Sequence, residues 1–170
     1  PRVTVEAKKF GMVEGDAFDL RTGWDFSKGD QRKAAVAYVT TKKPLLLIGS
    51  LECTLFSTLQ NLRPWTGDRK RRLAEARVHL AFCMQLYRIQ AEAGRLFLHE
   101  HPMNATSWSD PEVKAIAAMK GVKVVIADQC MFGLQTTGAT KNSRAPAKKP
   151  TKFMTNCWSI AVELNRRCDR

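Results

Sequence analysis

Four apolar residues in a row, Leu45-Leu46-Leu47-Ile48, run into Gly49-Ser50. A run without alternation suits a strand buried on both faces, as in a parallel sheet. Two later segments have the same character: Leu96-Phe97-Leu98 before His99-Glu100-His101-Pro102, and Val122-Lys123-Val124-Val125-Ile126-Ala127 before Asp128. Helical periods separate them. Leu73, Ala76, Leu80, Met84, Tyr87 and Ala91 recur at spacings of three and four, which predicts a long helix from near Asp68 to Gly94. Ser109-Asp110-Pro111-Glu112 predicts a shorter helix to about Lys120, with Ser-x-x-Glu as a capping box, proline in the first turn and Gly121 as the stop. Ahead of the first strand, residues 30–42 read as a helix capped by Asp30, with Ala34, Ala35, Ala37 and Tyr38 as a modest apolar face. Residues 1–26 read as irregular apart from a short strand ending at Asp19-Leu20. Lys152–Asn156 reads as a last strand and Trp158–Arg167 as a closing helix. Strands alternating with helices predict an α/β fold, a mostly parallel-sheet layer sandwich, in one domain over residues 1–170.

Charge adds a partner to this picture. The chain carries 28 Lys+Arg against 16 Asp+Glu, a net charge of +12. Such an excess points to a polyanion, most often nucleic acid, or to a basic subunit among the protein subunits of a larger complex. Residues 135–150 are rich in Gly, Thr, Ser, Asn and Pro and contain Lys141, Arg144, Lys148 and Lys149, which predicts an exposed, mobile, basic loop. Arg69-Lys70-Arg71-Arg72 opposes the dipole at the start of the long helix and reads either as a phosphate contact or as a solvated helix end. Cys53, Cys83, Cys130, Cys157 and Cys168 are odd in number, widely spaced and without a CxxC, as expected of free thiols in a reducing intracellular compartment. No apolar run approaches the roughly 20 residues of a transmembrane helix, and no secretory signal is visible at the N-terminus.

Two strand ends carry chemistry-capable residues, Cys53 after the first and Glu100 on the second. Neighbouring parallel strands would bring both groups to one crevice at their carboxyl ends. A thiolate there can add to an electrophilic ring carbon while the acid holds the same ring. The plainer alternative for Cys53 is a packed thiol. His99 and His101 lie two apart, share one side of the strand and are expected to flank Glu100 at the crevice. Zinc binding by this pair with Cys130 or Cys157 fits no common ligand spacing, so no metal is assigned. Asp19 and Asp25 are candidates for a cofactor ribose, or else turn caps. Trp24, Trp65, Trp108 and Trp158 could stack bases or simply pack.

In order, Gly49-Ser50-Leu51-Glu52-Cys53-Thr54-Leu55-Phe56-Ser57, Phe97-Leu98-His99-Glu100-His101-Pro102 and Val125–Gln135 with its Phe132-Gly133 turn resemble the cytosine-5 DNA methyltransferase superfamily. The likeness is greatest to the divergent methyltransferase-like domains of eukaryotic mobile-element polyproteins, and it spans roughly residues 15–165. The resemblance implies a Rossmann-like methyltransferase sheet lacking its first strand and its glycine-rich cofactor loop. It implies Cys53 as the nucleophile on C6 of a flipped-out cytosine, Glu100 on N3 and N4, and S-adenosylmethionine as the methyl donor. Ser50, Thr54, Ser57, Gln60 and His99 would then shape the base pocket. Lys141, Arg144, Lys148, Lys149 and Lys152 would hold the backbone, and Asp19 and Asp25 the cofactor. Leu51-Glu52 stands where the family has Pro-Pro, which removes a rigid turn and sets a negative charge beside the thiol. The family's arginine-rich signature after the aromatic-Gly turn is not cleanly present. The expectation is therefore a degenerate, non-catalytic copy acting as a basic nucleic-acid-binding or assembly subunit, with an active cytosine-5 methyltransferase as the alternative.

Overall fold

The computed structural model describes residues 2–62, 66–138, 140 and 143–169. The chain falls into two compact units, residues 1–45 and 46–170. The first holds helix α1 (Arg2–Lys9) and helix α2 (Gly29–Lys42). In place of the strand predicted to end at Asp19-Leu20 there is a 3-10 turn, Leu20–Thr22. Asp19 caps it by accepting from the Arg21 amide at 2.8 Å, so a carboxylate next to free amides selects a turn over extended chain. Phe18 gathers Trp24, Phe26 and Tyr38 around it at ring separations of 4.6, 5.7 and 5.4 Å.

The second unit holds β1 (Leu46–Ser50), α3 (Gly67–Glu92), β2 (Leu96–Pro102), α4 (Pro111–Ala117), β3 (Lys123–Asp128), β4 (Gln135–Thr137), β5 (Arg144–Pro146), β6 (Pro150–Thr155) and α5 (Trp158–Leu164). The fold is mixed α/β, and its main sheet has the order β1-β2-β6-β3. β1 and β2 are parallel, whereas β6 is antiparallel to both β2 and β3. The expected mostly parallel sheet is thus corrected to a mixed one. The reason lies in the connections. α3 and α4 carry the chain back across the sheet before β2 and β3, which keeps β1, β2 and β3 pointing the same way. Among the described residues no crossover helix lies between β3 and β6, so the chain re-enters at the edge where it left and must run in reverse.

Residues 135–150, expected as a loop, contain a small hairpin in which β4 pairs β5 with Gln135 opposite Pro146. Its strands, Gln-Thr-Thr and Arg-Ala-Pro, are three residues each, too short for alternation to reveal. No helix among the described residues is long and apolar enough to cross a membrane.

Strand alternation sorts the sheet into two faces. Phe97, His99 and His101 are buried on the face covered by α3 and α4, with Leu80, Met84, Tyr87, Val113, Ile116 and Met154. Tyr87 stacks on Phe97 with ring centroids 4.9 Å apart. Leu98 and Glu100 point to the other face, where α5 packs against β3 and β6. Asn156 ties the start of β2 down. Its amide accepts from the Phe97 N–H at 2.9 Å and donates to the Arg95 carbonyl at 2.8 Å.

Helix ends obey local rules with small shifts. Thr66, not Asp68, caps α3. Asp110, not Ser109, caps α4, accepting from the Glu112 amide at 3.1 Å with Pro111 at the first helical position. Replacing Asp110 by alanine is expected to cost about 1 kcal/mol. The check is a lower urea midpoint with an unchanged denaturant slope.

Candidate functional site

The carboxyl ends of β1, β2 and β3 share one edge of the sheet, and Cys53, Glu100 and Asp128 belong to that edge. Ser50 is directly opposite Glu100 in the β1–β2 register. Its hydroxyl donates to Glu100 Oε2 at 2.5 Å, so the predicted acid is engaged by the residue that opens the cysteine loop. A charge-assisted bond this short orients the carboxylate firmly.

Three residues on, Cys53 is half-buried and starts a 3-10 turn, Thr54–Phe56, with the Phe56 amide donating to the Cys53 carbonyl at 3.0 Å. Phe56 is the loop's anchor. Its ring is buried 5.7 Å from His101, and its carbonyl accepts from the Thr106 hydroxyl at 3.1 Å. Leu51 packs on the core, while Glu52 is exposed. Ser57 accepts from the Leu59 amide at 3.3 Å, Thr54 is exposed, and the Gln60 carbonyl accepts from the Arg69 guanidinium. Arg69 therefore pins the end of the loop to α3. Arg71 pairs with Asp68 at 2.7 Å and Glu75 at 3.3 Å. These two arginines of the basic run thus have local partners.

His99 and Lys152 do not join Glu100. Alternation puts both on the α3–α4 face, opposite the Glu100 side chain. His99 is fully buried, with Nδ1 3.3 Å from Tyr87 Oη and no partner for Nε2 among the described residues. Burial, with His101 adding, pushes its pKa down to about 3, so the ring is neutral. The expectation that His99 contacts a substrate is corrected accordingly: the ring is part of the core. Lys152 belongs to β6, with Nζ 5.6 Å from the Trp108 ring. Trp108 packs with its Nε1 donating to the Pro102 carbonyl at 2.9 Å, Trp158 is 67% exposed, and Trp65 lies outside the described residues.

Asp19 and Asp25 belong to the first unit, and both carboxylates serve their own turns. Asp25 accepts from the Ser27 amide at 3.0 Å and hydroxyl at 2.6 Å, which holds its carboxyl below the usual range. Among the described residues, no cluster of three or more His, Cys, Asp or Glu is placed to hold a metal ion.

The basic residues gather where β3 ends and β6 begins. Asp128 is opposite Pro150, and Lys148 and Lys149 directly precede that strand. Two arginines join them that sequence reasoning passed over. Arg167 Nε donates to Asp128 Oδ2 at 3.0 Å, and the Arg166 carbonyl accepts from the Asp128 amide at 2.9 Å. The Arg166 guanidinium lies 5.6 Å from the ring of Phe132, which is 47% exposed. The Cys168 amide first, then Arg167, hold the buried Asp128 carboxyl below its ordinary range. A buried aspartate just past an apolar strand, with arginines near the far end of the chain, was the available signal. Arg144 is exposed on β5, and Lys141 lies outside the described residues.

The edge thus offers a half-buried thiol, a hydroxyl-held carboxylate, an exposed aromatic ring and a basic rim. From β1 to β3 there are three strand steps of about 4.8 Å, roughly 14 Å in all. No family model, no curated protein and no solved structure matches this chain.

Proposed function

We propose that this chain is a methyltransferase-like domain whose sheet edge binds nucleic acid and whose reaction centre has degenerated. What carries the reading is that the cysteine loop, Glu100 and the rim of Lys148, Lys149, Arg166 and Arg167 all belong to the carboxyl edge of three co-directional strands. That edge is where open α/β sheets bind ligands. β6 runs antiparallel between β2 and β3 and so makes the sheet mixed, an arrangement that α/β folds also use. The roughly 14 Å between the outer strands spans about four phosphates of one duplex strand measured along the helix axis, at about 3.4 Å of rise each.

Degeneracy is supported by two local features. Leu51 and Glu52 stand ahead of Cys53 where the family has a rigid Pro-Pro pair. Ser50 already engages the Glu100 carboxylate that a cytosine ring would need. The alternative, an active S-adenosylmethionine-dependent cytosine-5 methyltransferase on DNA or RNA, gains from the half-burial of Cys53 and its place on the edge that carries Glu100.

Binding of a labelled random oligonucleotide, followed by anisotropy, is expected to weaken linearly in log–log form as salt rises. Lys148→Ala with Lys149→Ala should lower the slope by about 1.4 for a single strand, at roughly 0.7 per lost phosphate contact. Cys53→Ala should leave affinity unchanged. No binding at low salt would overturn the reading. Heat on titrating S-adenosylmethionine, followed by methyl transfer that Cys53→Ala abolishes, would decide for the active enzyme.

A further inference from the structure

We propose that Cys130 and Cys168 form a reversible disulfide that fastens residues 166–169 to the end of β3. Both cysteines are free and half-buried, and the hydrogen bonds of Asp128 set the segment holding Cys168 beside the turn holding Cys130. Each is held in place by its own backbone. Cys130 sits in the 3-10 turn Gln129–Phe132, closed by Gly133 at φ 83°, whose amide donates to the Cys130 carbonyl at 3.2 Å. Cys168 is gripped at both ends. Its amide donates to Asp128 Oδ2 at 2.8 Å, and its carbonyl accepts from Lys148 Nζ at 3.2 Å. The Asp128 amide, two residues before Cys130, donates to the Arg166 carbonyl at 2.9 Å, so the two segments lie side by side. Setting two thiols on adjacent, braced segments reduces the rearrangement that closure otherwise requires.

The other cysteines differ in setting. Cys83 is sealed in the core, and burial pushes its thiol up to about 12. Cys53 heads its own loop, and Cys157 precedes α5. The thiol of Cys130 is also raised, by burial first and then by the neighbouring Cys168 and the charge of Asp128. Closure therefore proceeds by disulfide exchange with a low-molecular-weight disulfide such as oxidised glutathione. One cysteine, as thiolate, attacks a glutathione sulfur and expels one glutathione thiolate. The second then gives up its proton, attacks the mixed disulfide and expels the other. Two thiols are oxidised, one glutathione disulfide is reduced to two glutathiones, and the protons pass to the leaving thiolates. Once closed, the bond keeps Arg166 and Arg167 at the sheet edge.

The test is incubation of the full chain with oxidised glutathione, then trypsin digestion without reductant and mass spectrometry. The expected product is peptide 124–141 linked to peptide 168–170, two hydrogens lighter than the sum of its parts and separated by dithiothreitol. Cys168→Ser should trap glutathione on Cys130, and Cys53→Ser should leave the linked peptide unchanged. The oxidised chain should also show a higher urea midpoint than the reduced one. Stable glutathione adducts on both cysteines of the wild-type chain, linkage of either to another cysteine, or no reaction at either would each overturn the proposal.

Discussion

Gly49→Ala is expected to destabilise the second unit by an amount at the top of the roughly 1–3 kcal/mol range for overpacked cores. A Cβ on Gly49 would land on Tyr87 Oη, with Tyr87 Cζ at 3.0 Å and Cε1 at 3.5 Å. Tyr87 cannot swing aside. It is 1% exposed, stacked on Phe97 and in contact with His99 through its hydroxyl. The strand's closest approach to α3 therefore depends on a missing side chain, the usual reason for glycine within a strand. Tyr87→Phe supplies the internal control. Alone it removes a buried hydroxyl and its His99 contact and should cost about 1 kcal/mol. In the Gly49→Ala background it relieves the worst clash and should stabilise. A sign reversal between the two backgrounds, read from urea unfolding, is the expected result. Additive losses would show that β1 moves away from α3 instead, since only coupled sites depart from additivity.

Stability is expected to fall as pH drops from 7.5 to 5, with His99 as the main contributor. Its pKa is about 3 in the folded chain against 6.5 when unperturbed. The folded state holds the ring neutral while the unfolded state takes up a proton. The stabilisation is thus complete above about 6.5 and is lost progressively down to about 3. At 1.36 kcal/mol per unit, the loss by pH 5 is about 2 kcal/mol from this one residue. His101 and His79 act in the same direction, both lowered chiefly by burial, with Glu100 opposing at His101 and Glu52 at His79. Urea midpoints measured across this pH range should therefore slope by at least one proton, and His99→Gln should flatten the curve. A wild-type curve already flat between pH 7 and 5 would refute the assignment of His99 as a buried neutral base.

How much of this was legible from residues alone varied by element. α3 was, because Leu80, Met84 and Tyr87 repeat at helical spacing and all three are buried where that spacing puts them. β1, β2 and β3 were legible as strands from their apolar runs, but β1 and β3 are edge strands with Ile48 and Val124 exposed, not strands buried on both faces. Ser50 and Glu100 were already candidates, but their bond needed the register, which no periodicity reveals. His99 was misplaced for a different reason. Alternation correctly put it with His101, yet a residue next to Glu100 in sequence lies on the opposite face of the sheet. Arg166 and Arg167 went unnoticed because only folding brings them to Asp128, about 40 residues earlier.

The order of the main-sheet strands and of helices α2 to α5, the helix caps to within two residues, the basic excess and the candidate pair Cys53 and Glu100 all follow from local pattern and composition, whereas α1 does not. They depend on side-chain period, turn chemistry and charge, each of which acts over a few residues. The reversed direction of β6, the short hairpin between β3 and β6, the need for glycine beneath Tyr87, the meeting of Cys130 with Cys168 and the basic rim around Asp128 emerge only on folding. Each is a contact between distant segments, set by which strands pair and which face each side chain is given, and those choices are made by the packed sheet as a whole.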